Sequence, residues 1–241
     1  MTSVPVSRPT TQEGTGRRVE IGAGVRASLA AGLGLYPLGV AFGLLVVQAG
    51  LPWWLAPALS VAVFAGSLEL LLVGMISGGA SIAAIALTTL VVNFRHVFYA
   101  FSFPLRVVRH PVARAYSVYA LIDEAYAMTA VRPHGWTAWR LVSMQVSFQA
   151  YWVGGGLTGV AVASLLPGPV QGLEFALCAL FLTLTLDAAR SRREVPSLLL
   201  AGLAFTCAVV VAPDSVLLVG LVLLVGLLLG RYALTRGGAR G

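Results

Sequence analysis

The stretch TTLVVNFRHVFYAF, residues 88–101, sets Asn93, Arg95 and His96 inside a run otherwise suited to an apolar surrounding. On a helix turning about 100° per residue, Thr89, Asn93 and His96 fall within roughly 60° of one another, and Arg95, Tyr99 and Ser102 share a similar arc on a largely different face. A helix with two polar stripes does not face lipid all round; it is enclosed by protein or lines a wet cavity. An arginine at mid-helix costs ~2.5–3.5 kcal/mol on insertion scales, which a carboxylate partner or a carboxylate-bearing substrate offsets. Two plainer readings stay open: Arg95 is near enough to the helix end at Phe103 to snorkel, and His96 can simply bond a neighbouring helix.

Acids supply the complementary charge. Glu69 lies in FAGSLELL (64–71), on a face shared with Ala62, Ala65, Gly66 and Val73, small enough for a backbone or ligand to approach. An intramembrane carboxylate is paired, protonated or facing water. Glu69 with Arg95 or His96 is the expected pair, either structural or coupling proton movement to substrate movement. LIDEAYAM (121–128) carries Asp123 and Glu124, adjacent and therefore on different faces, so one of them turns toward the protein or both sit in water at an interface. Glu174 opens LEFALCALFL (173–182), where the helix dipole alone would stabilise it. Ser67 and His96 could be drawn as nucleophile and base, but nothing fixes an oxyanion hole, so an intramembrane enzyme is the weaker alternative.

The elements that must position these groups are membrane helices. The chain has 241 residues, 58% hydrophobic and 10% charged, with mean hydropathy +0.89. That composition excludes a soluble domain. The net charge of +7 comes from sixteen arginines and no lysine. They crowd short loops between apolar runs, as on the cytoplasmic face of membrane proteins, and leave no surface for nucleic acid. Cys178 and Cys207 stand apart inside apolar runs and read as small core hydrophobes. No CxxC, HExxH or Cys/His cluster is present, so neither metal nor other cofactor is expected.

Spanning takes ~20 mostly apolar residues. Candidate runs are Val25–Ala49, Trp53–Ser77, Ile82–Phe103, Ala138–Leu166, Val170–Asp187, Val195–Ala212 and Ser215–Gly230, with a weaker one at Tyr116–Val131. The expected fold is an all-α, polytopic integral membrane helical bundle of about six to eight membrane segments. Residues 1–18, rich in Thr, Ser, Pro and Gly, read as a disordered cytoplasmic tail, and 19–241 as one membrane transport domain. Arg17, Arg18 and Arg26, the Arg132/Arg140 and Arg190–Arg193 groups, and the C-terminal arginines place both termini in the cytoplasm. Three full crossings before Arg106, Arg109 and Arg114 would leave those three outside. A broken or re-entrant helix within 53–103 resolves the conflict.

Gly32, Gly34, Pro37, Gly39 and Gly43 fill the first run, and Gly154–Gly156 with Gly159 the fourth. Gly/Pro-interrupted segments in two halves are a pattern of secondary transporters with inverted repeats; close helix packing through small residues explains them equally well. No GxxxxGK[ST] is present, so transport would draw on an ion gradient, expected to be protons.

YPLGVAFG (36–43), FAGSLELL (64–71), VVNFRHVFYA (91–100), LIDEAYAM (121–128) and GLEFALCALF (172–181) resemble, in order and spacing, the signature blocks of the AzlC family, the large subunit of branched-chain amino acid permeases linked to azaleucine resistance. The resemblance runs over about residues 25–230. It implies a bacterial inner-membrane permease, not an enzyme, that exports branched-chain or similar hydrophobic amino acids with a small AzlD-type membrane subunit. A non-transporting scaffold subunit is the alternative. The expected substrate-binding or coupling set in these blocks is Pro37, Gly39, Gly43, Gly66, Ser67, Glu69, Asn93, Arg95, His96, Asp123, Glu124 and Glu174. Two positions depart from the family pattern: Glu69 stands where Gln is common, and Glu174 where Asp is more usual.

Overall fold

A computed structural model describes residues 10–166, 168, 182 and 195–237. Among them the regular structure is helical, α1 to α8 being Thr10–Gln48, Leu55–Ala62, Gly66–Ser77, Ile82–Asn93, Arg95–Ser102, Pro111–Tyr119, Asp123–Val131 and Ala138–Leu165, followed by α9 (Val195–Val211) and α10 (Val216–Gly237). The chain forms two compact units: residues 1–79 with 94–169, and residues 80–93 with 170–241. α1 begins at Thr10, inside the stretch expected as a tail. The run at Val170–Asp187, with Glu174 and Cys178, lies outside the described residues apart from Leu182.

The first unit is organised by α1 and α8. α8 starts where Thr137 caps it, its hydroxyl accepting from Arg140 N, and stops at Leu166, whose extended backbone precedes Pro167. Leu141, Met144, Phe148 and Trp152 recur at helical spacing along its inner face and are buried. Phe42 of α1 stacks on Trp152 with ring centroids 5.7 Å apart.

Both glycine-rich runs are continuous helices. Pro37 lies inside α1, which leaves the Leu33 carbonyl without its helical donor but does not end the helix. The glycines are needed because the two backbones touch. A Cβ on Gly43 would stand 2.0 Å from Gly156 O, and one on Gly159 would stand 2.1 Å from Val40 O. The packing reading of these residues therefore holds, and no helix break occurs at either glycine cluster.

The break falls elsewhere. Trp53–Ser77, read as one run, divides at Val63–Ala65 into α2 and α3. Phe64 takes φ +45°, the left-handed region that non-glycine residues rarely enter. Its ring is buried and tilts against Tyr119 at 5.9 Å, which holds the strained backbone in place. The weaker run at Tyr116–Val131 is likewise two helices, α6 and α7.

In the second unit α9 and α10 pair, tied by a 2.7 Å hydrogen bond from Arg231 Nη1 to Ser197 Oγ. A Cβ on Gly220 would stand 2.7 Å from the Phe205 ring. Cys207, expected in a core, is exposed on α9 because its side of the helix belongs to an outward apolar surface that includes Val210, 78% exposed. α1 of the first unit and Ile82–Ser102 are long and apolar enough to cross a membrane.

Candidate functional site

Of the site residues expected from sequence, Ser67, Glu69, Arg95 and Asp123 fall into two polar clusters joined by the first turn of α3. In the first, Arg95 Nη2 lies 2.8 Å from Asp123 Oδ2 and donates to Ser67 Oγ at 2.9 Å. Tyr99 OH donates to Asp123 Oδ1 at 2.8 Å. Ser102 Oγ donates to Tyr126 OH at 3.4 Å, and Tyr126 stacks on Tyr99 at 4.2 Å. Arg95, Tyr99 and Ser102 thus form one working stripe of α5, directed at α7, because they recur at helical spacing. Asp123 is the acid that turns to this stripe, and Glu124 is half-buried on another side of α7. Both members of the ion pair are partly exposed, at 40% and 43% of their side-chain surface.

The second cluster surrounds Glu69, which is fully buried. Its Oε1 accepts from the Ala65 amide at 3.0 Å. Its Oε2 accepts from Ser60 Oγ at 3.0 Å and from Trp152 Nε1 at 2.9 Å. The expected pairing of Glu69 with Arg95 or His96 is therefore corrected: Arg95 is taken by Asp123 and Ser67, and hydrogen-bond donors from α2, α8 and the α2–α3 junction satisfy the glutamate. The physical reason is local. An acid in a first helical turn reaches back to the free amide at the helix start, as in a capping box. Gly66 lets Trp152 come near, since a Cβ there would stand 2.9 Å from Trp152 Cη2.

The serine–histidine pair drawn from sequence has a different geometry as well, for Ser67 Oγ accepts from Arg95 and His96 packs edge-on against Tyr99 at 5.4 Å. Pro37, Gly39 and Gly43 lie within the continuous α1, and the two glycines meet the backbone of α8. Asn93 ends α4 in the second unit, while Arg95 opens α5 in the first. Glu174 is outside the described residues.

A polar stripe on α8 went unread in the sequence. Gln145, Gln149 and Trp152 recur at i, i+4 and i+7 within an apolar run, a signal as plain as the one around Arg95. Buried Gln145 donates from Nε2 to the Ser117 and Ala120 carbonyls, 2.9 Å each, and accepts from Ser117 Oγ at 2.7 Å. Gln149 accepts from Tyr116 OH at 3.0 Å and donates to Tyr119 OH at 2.8 Å. Tyr119 OH in turn donates to the Val61 carbonyl at the end of α2. The α2–α3 break is thereby held from both sides, by Trp152 on Glu69 and by Tyr119 on Val61.

Apolar helices with large exposed aliphatic faces, enclosing a charge pair and a buried acid, define an integral membrane protein rather than a soluble domain. A profile of the AzlC protein family matches residues 30–166, more than half of the chain and all of the residues in both clusters. The chain belongs to the AzlC family. An uncharacterised membrane protein of Helicobacter pylori is 28% identical over 197 residues, 80% of this chain and 86% of the relative. The branched-chain amino acid transport protein AzlC of Bacillus subtilis is 24% identical over 192 residues, 77% of this chain and 76% of the relative. The inner membrane protein YgaZ of Escherichia coli is 25% identical over 182 residues, 71% of this chain and 74% of the relative. No solved structure matches the chain.

Proposed function

We propose that the chain is a secondary transporter that exports branched-chain or similar hydrophobic amino acids across the bacterial inner membrane. It works with a small AzlD-type membrane subunit, driven by protons. Family membership supports the transport class, and the relative named for branched-chain amino acid transport supports the substrate. The single structural observation that carries the reading is the Arg95–Asp123 pair, two opposite charges 2.8 Å apart, partly exposed and set among apolar helices. An amino-acid zwitterion carries the same two charges. Its carboxylate replaces Asp123 on the guanidinium and its ammonium replaces Arg95 on the carboxylate, while Ser67 and Tyr99 supply hydroxyls at either end. The aliphatic side chain then needs only an apolar wall.

Glu69 is the proton-carrying residue in this reading. Ser60 Oγ can donate to a carboxylate or accept from a carboxylic acid, so both charge states are satisfied in place. The test is efflux of preloaded L-valine from cells that express the chain with its small partner. Efflux by the wild type and its loss in Arg95→Ala at equal membrane abundance is the expected result. Wild-type efflux from Arg95→Ala removes the pair from the site, and no valine efflux from a well-expressed wild-type pair overturns the substrate.

A further inference from the structure

The first unit contains a cavity of about 490 Å³, away from the Arg95–Asp123 pair, walled by α1, the C-terminal end of α7, the 132–136 loop and the start of α8. Its polar lining is basic: Arg26, Arg132, His134 and Arg140. Arg140 is already engaged. Its Nη2 donates to Glu20 Oε1 at 3.2 Å, its Nε stands 3.2 Å from Oε2, and its Nη1 donates to the Gly135 carbonyl at 3.0 Å. Among the described residues, Arg26 and Arg132 have no ion-pair partner. The cavity therefore carries two uncompensated guanidinium groups beside a neutralised third.

The loop is shaped to hold them. Gly135 takes φ +83°, and Trp136 Nε1 donates to the Arg132 carbonyl at 2.6 Å, so the chain curls and presents Arg132 and His134 to the same hollow. Trp136 lines the hollow, and Trp139 in the first turn of α8 has Arg17 stacked over its ring at 3.8 Å. Tryptophans among arginines mark the headgroup depth of a bilayer on its basic face. An anion held there sits between two arginines at the depth where lipid phosphates lie.

We infer that this cavity binds a phosphate group, that of an anionic phospholipid headgroup, held by Arg26 and Arg132 with His134 at its rim. The assignment depends on the membrane location and not on what the protein transports. Native mass spectrometry of the purified full chain with added phosphatidylglycerol or phosphatidylcholine tests it, with inorganic phosphate as competitor. The wild type should retain phosphatidylglycerol in preference to phosphatidylcholine, and Arg26→Gln/Arg132→Gln should lose about tenfold or more of that retention. Ala27→Leu, which narrows the cavity and leaves both arginines, should weaken it, while Arg109→Gln/Arg114→Gln on a different loop should not. Equal retention by the wild type and the Arg26/Arg132 variant, with both monodisperse, overturns the site. Displacement of the lipid by millimolar phosphate, again dependent on Arg26 and Arg132, supports the phosphate chemistry and reassigns the source to the free ion.

Discussion

At the residue scale, the pocket around Glu69 is built for two acceptor oxygens. The Ala65 amide and the Trp152 indole can only donate, and they approach different oxygens. A glutamine offers one acceptor end, so its amide NH₂ must oppose one of those donors. Glu69→Gln should therefore lower stability by ~1–3 kcal/mol, the usual penalty for a buried unsatisfied group. Thermal unfolding of the purified protein in detergent reads this directly, and no loss would mean that the pocket rearranges. The Trp152→Phe variant loses one donor only, so a double-mutant cycle with Glu69→Gln should give a coupling of ~0.5–3 kcal/mol. Arg95 is a contrasting case. Its pair with Asp123 is partly exposed, and facing the water-filled substrate site proposed above it is worth only about 0–1 kcal/mol of stability. Arg95→Ala should accordingly unfold near the wild-type temperature while losing efflux, and a large drop in stability would recast Arg95 as structural.

At the element scale, the α1–α8 contact sets the geometry of everything else in the first unit. It admits no side chains where the backbones cross. Gly43→Ala places a methyl group 2.0 Å from a carbonyl oxygen that the helix cannot move, so the variant should destabilise by several times the ~1 kcal/mol that alanine gains over glycine in a helix. Gly34 lies on the same helix with nothing near its missing Cβ, so Gly34→Ala should be neutral or slightly stabilising. Comparing their melting temperatures separates crowding from helix propensity; equal shifts would mean that the helices spread to accommodate Gly43→Ala. The α2–α3 junction is the other decisive element. Tyr119→Phe removes the hydroxyl between Val61 and Gln149, and should cost ~1 kcal/mol in the same unfolding assay.

At the scale of the whole molecule, the division of 53–77 at Val63–Ala65 bears on threading. If α2 and α3 enter and leave by one face, the arginine-rich stretch at 106–114 returns to the side of the N-terminus, as the distribution of arginines demands. Topology reporters fused after Gly79 and after Arg114 check this. A periplasmic reading after Gly79 and a cytoplasmic one after Arg114 are the expected outcome, whereas a cytoplasmic reading after Gly79 with a periplasmic one after Arg114 would mean three full crossings and break the charge rule for this chain. The exposed aliphatic side chains on α1, α9 and α10 are the surface that lipid covers, and they make a detergent or bilayer necessary for every measurement above.

The sequence by itself determined the helical class, the membrane setting and the presence of a polar stripe at Arg95, Tyr99 and Ser102. Composition and helical periodicity are local properties, legible from a few turns of chain. Family membership was legible for the same reason, in short ordered blocks. Only the tertiary structure decided which charges meet. Arg95 chose Asp123 over Glu69, and Glu69 found Trp152, 83 residues away in sequence. Such choices depend on which helix starts lie side by side, and that in turn rests on backbone contacts at Gly43, Gly156 and Gly159. The same glycines read alone allow either a broken helix or a tight seam. The approach of α8 to within contact of the α1 backbone selects the seam, because a continuous helix surface without side chains is what lets two backbones touch.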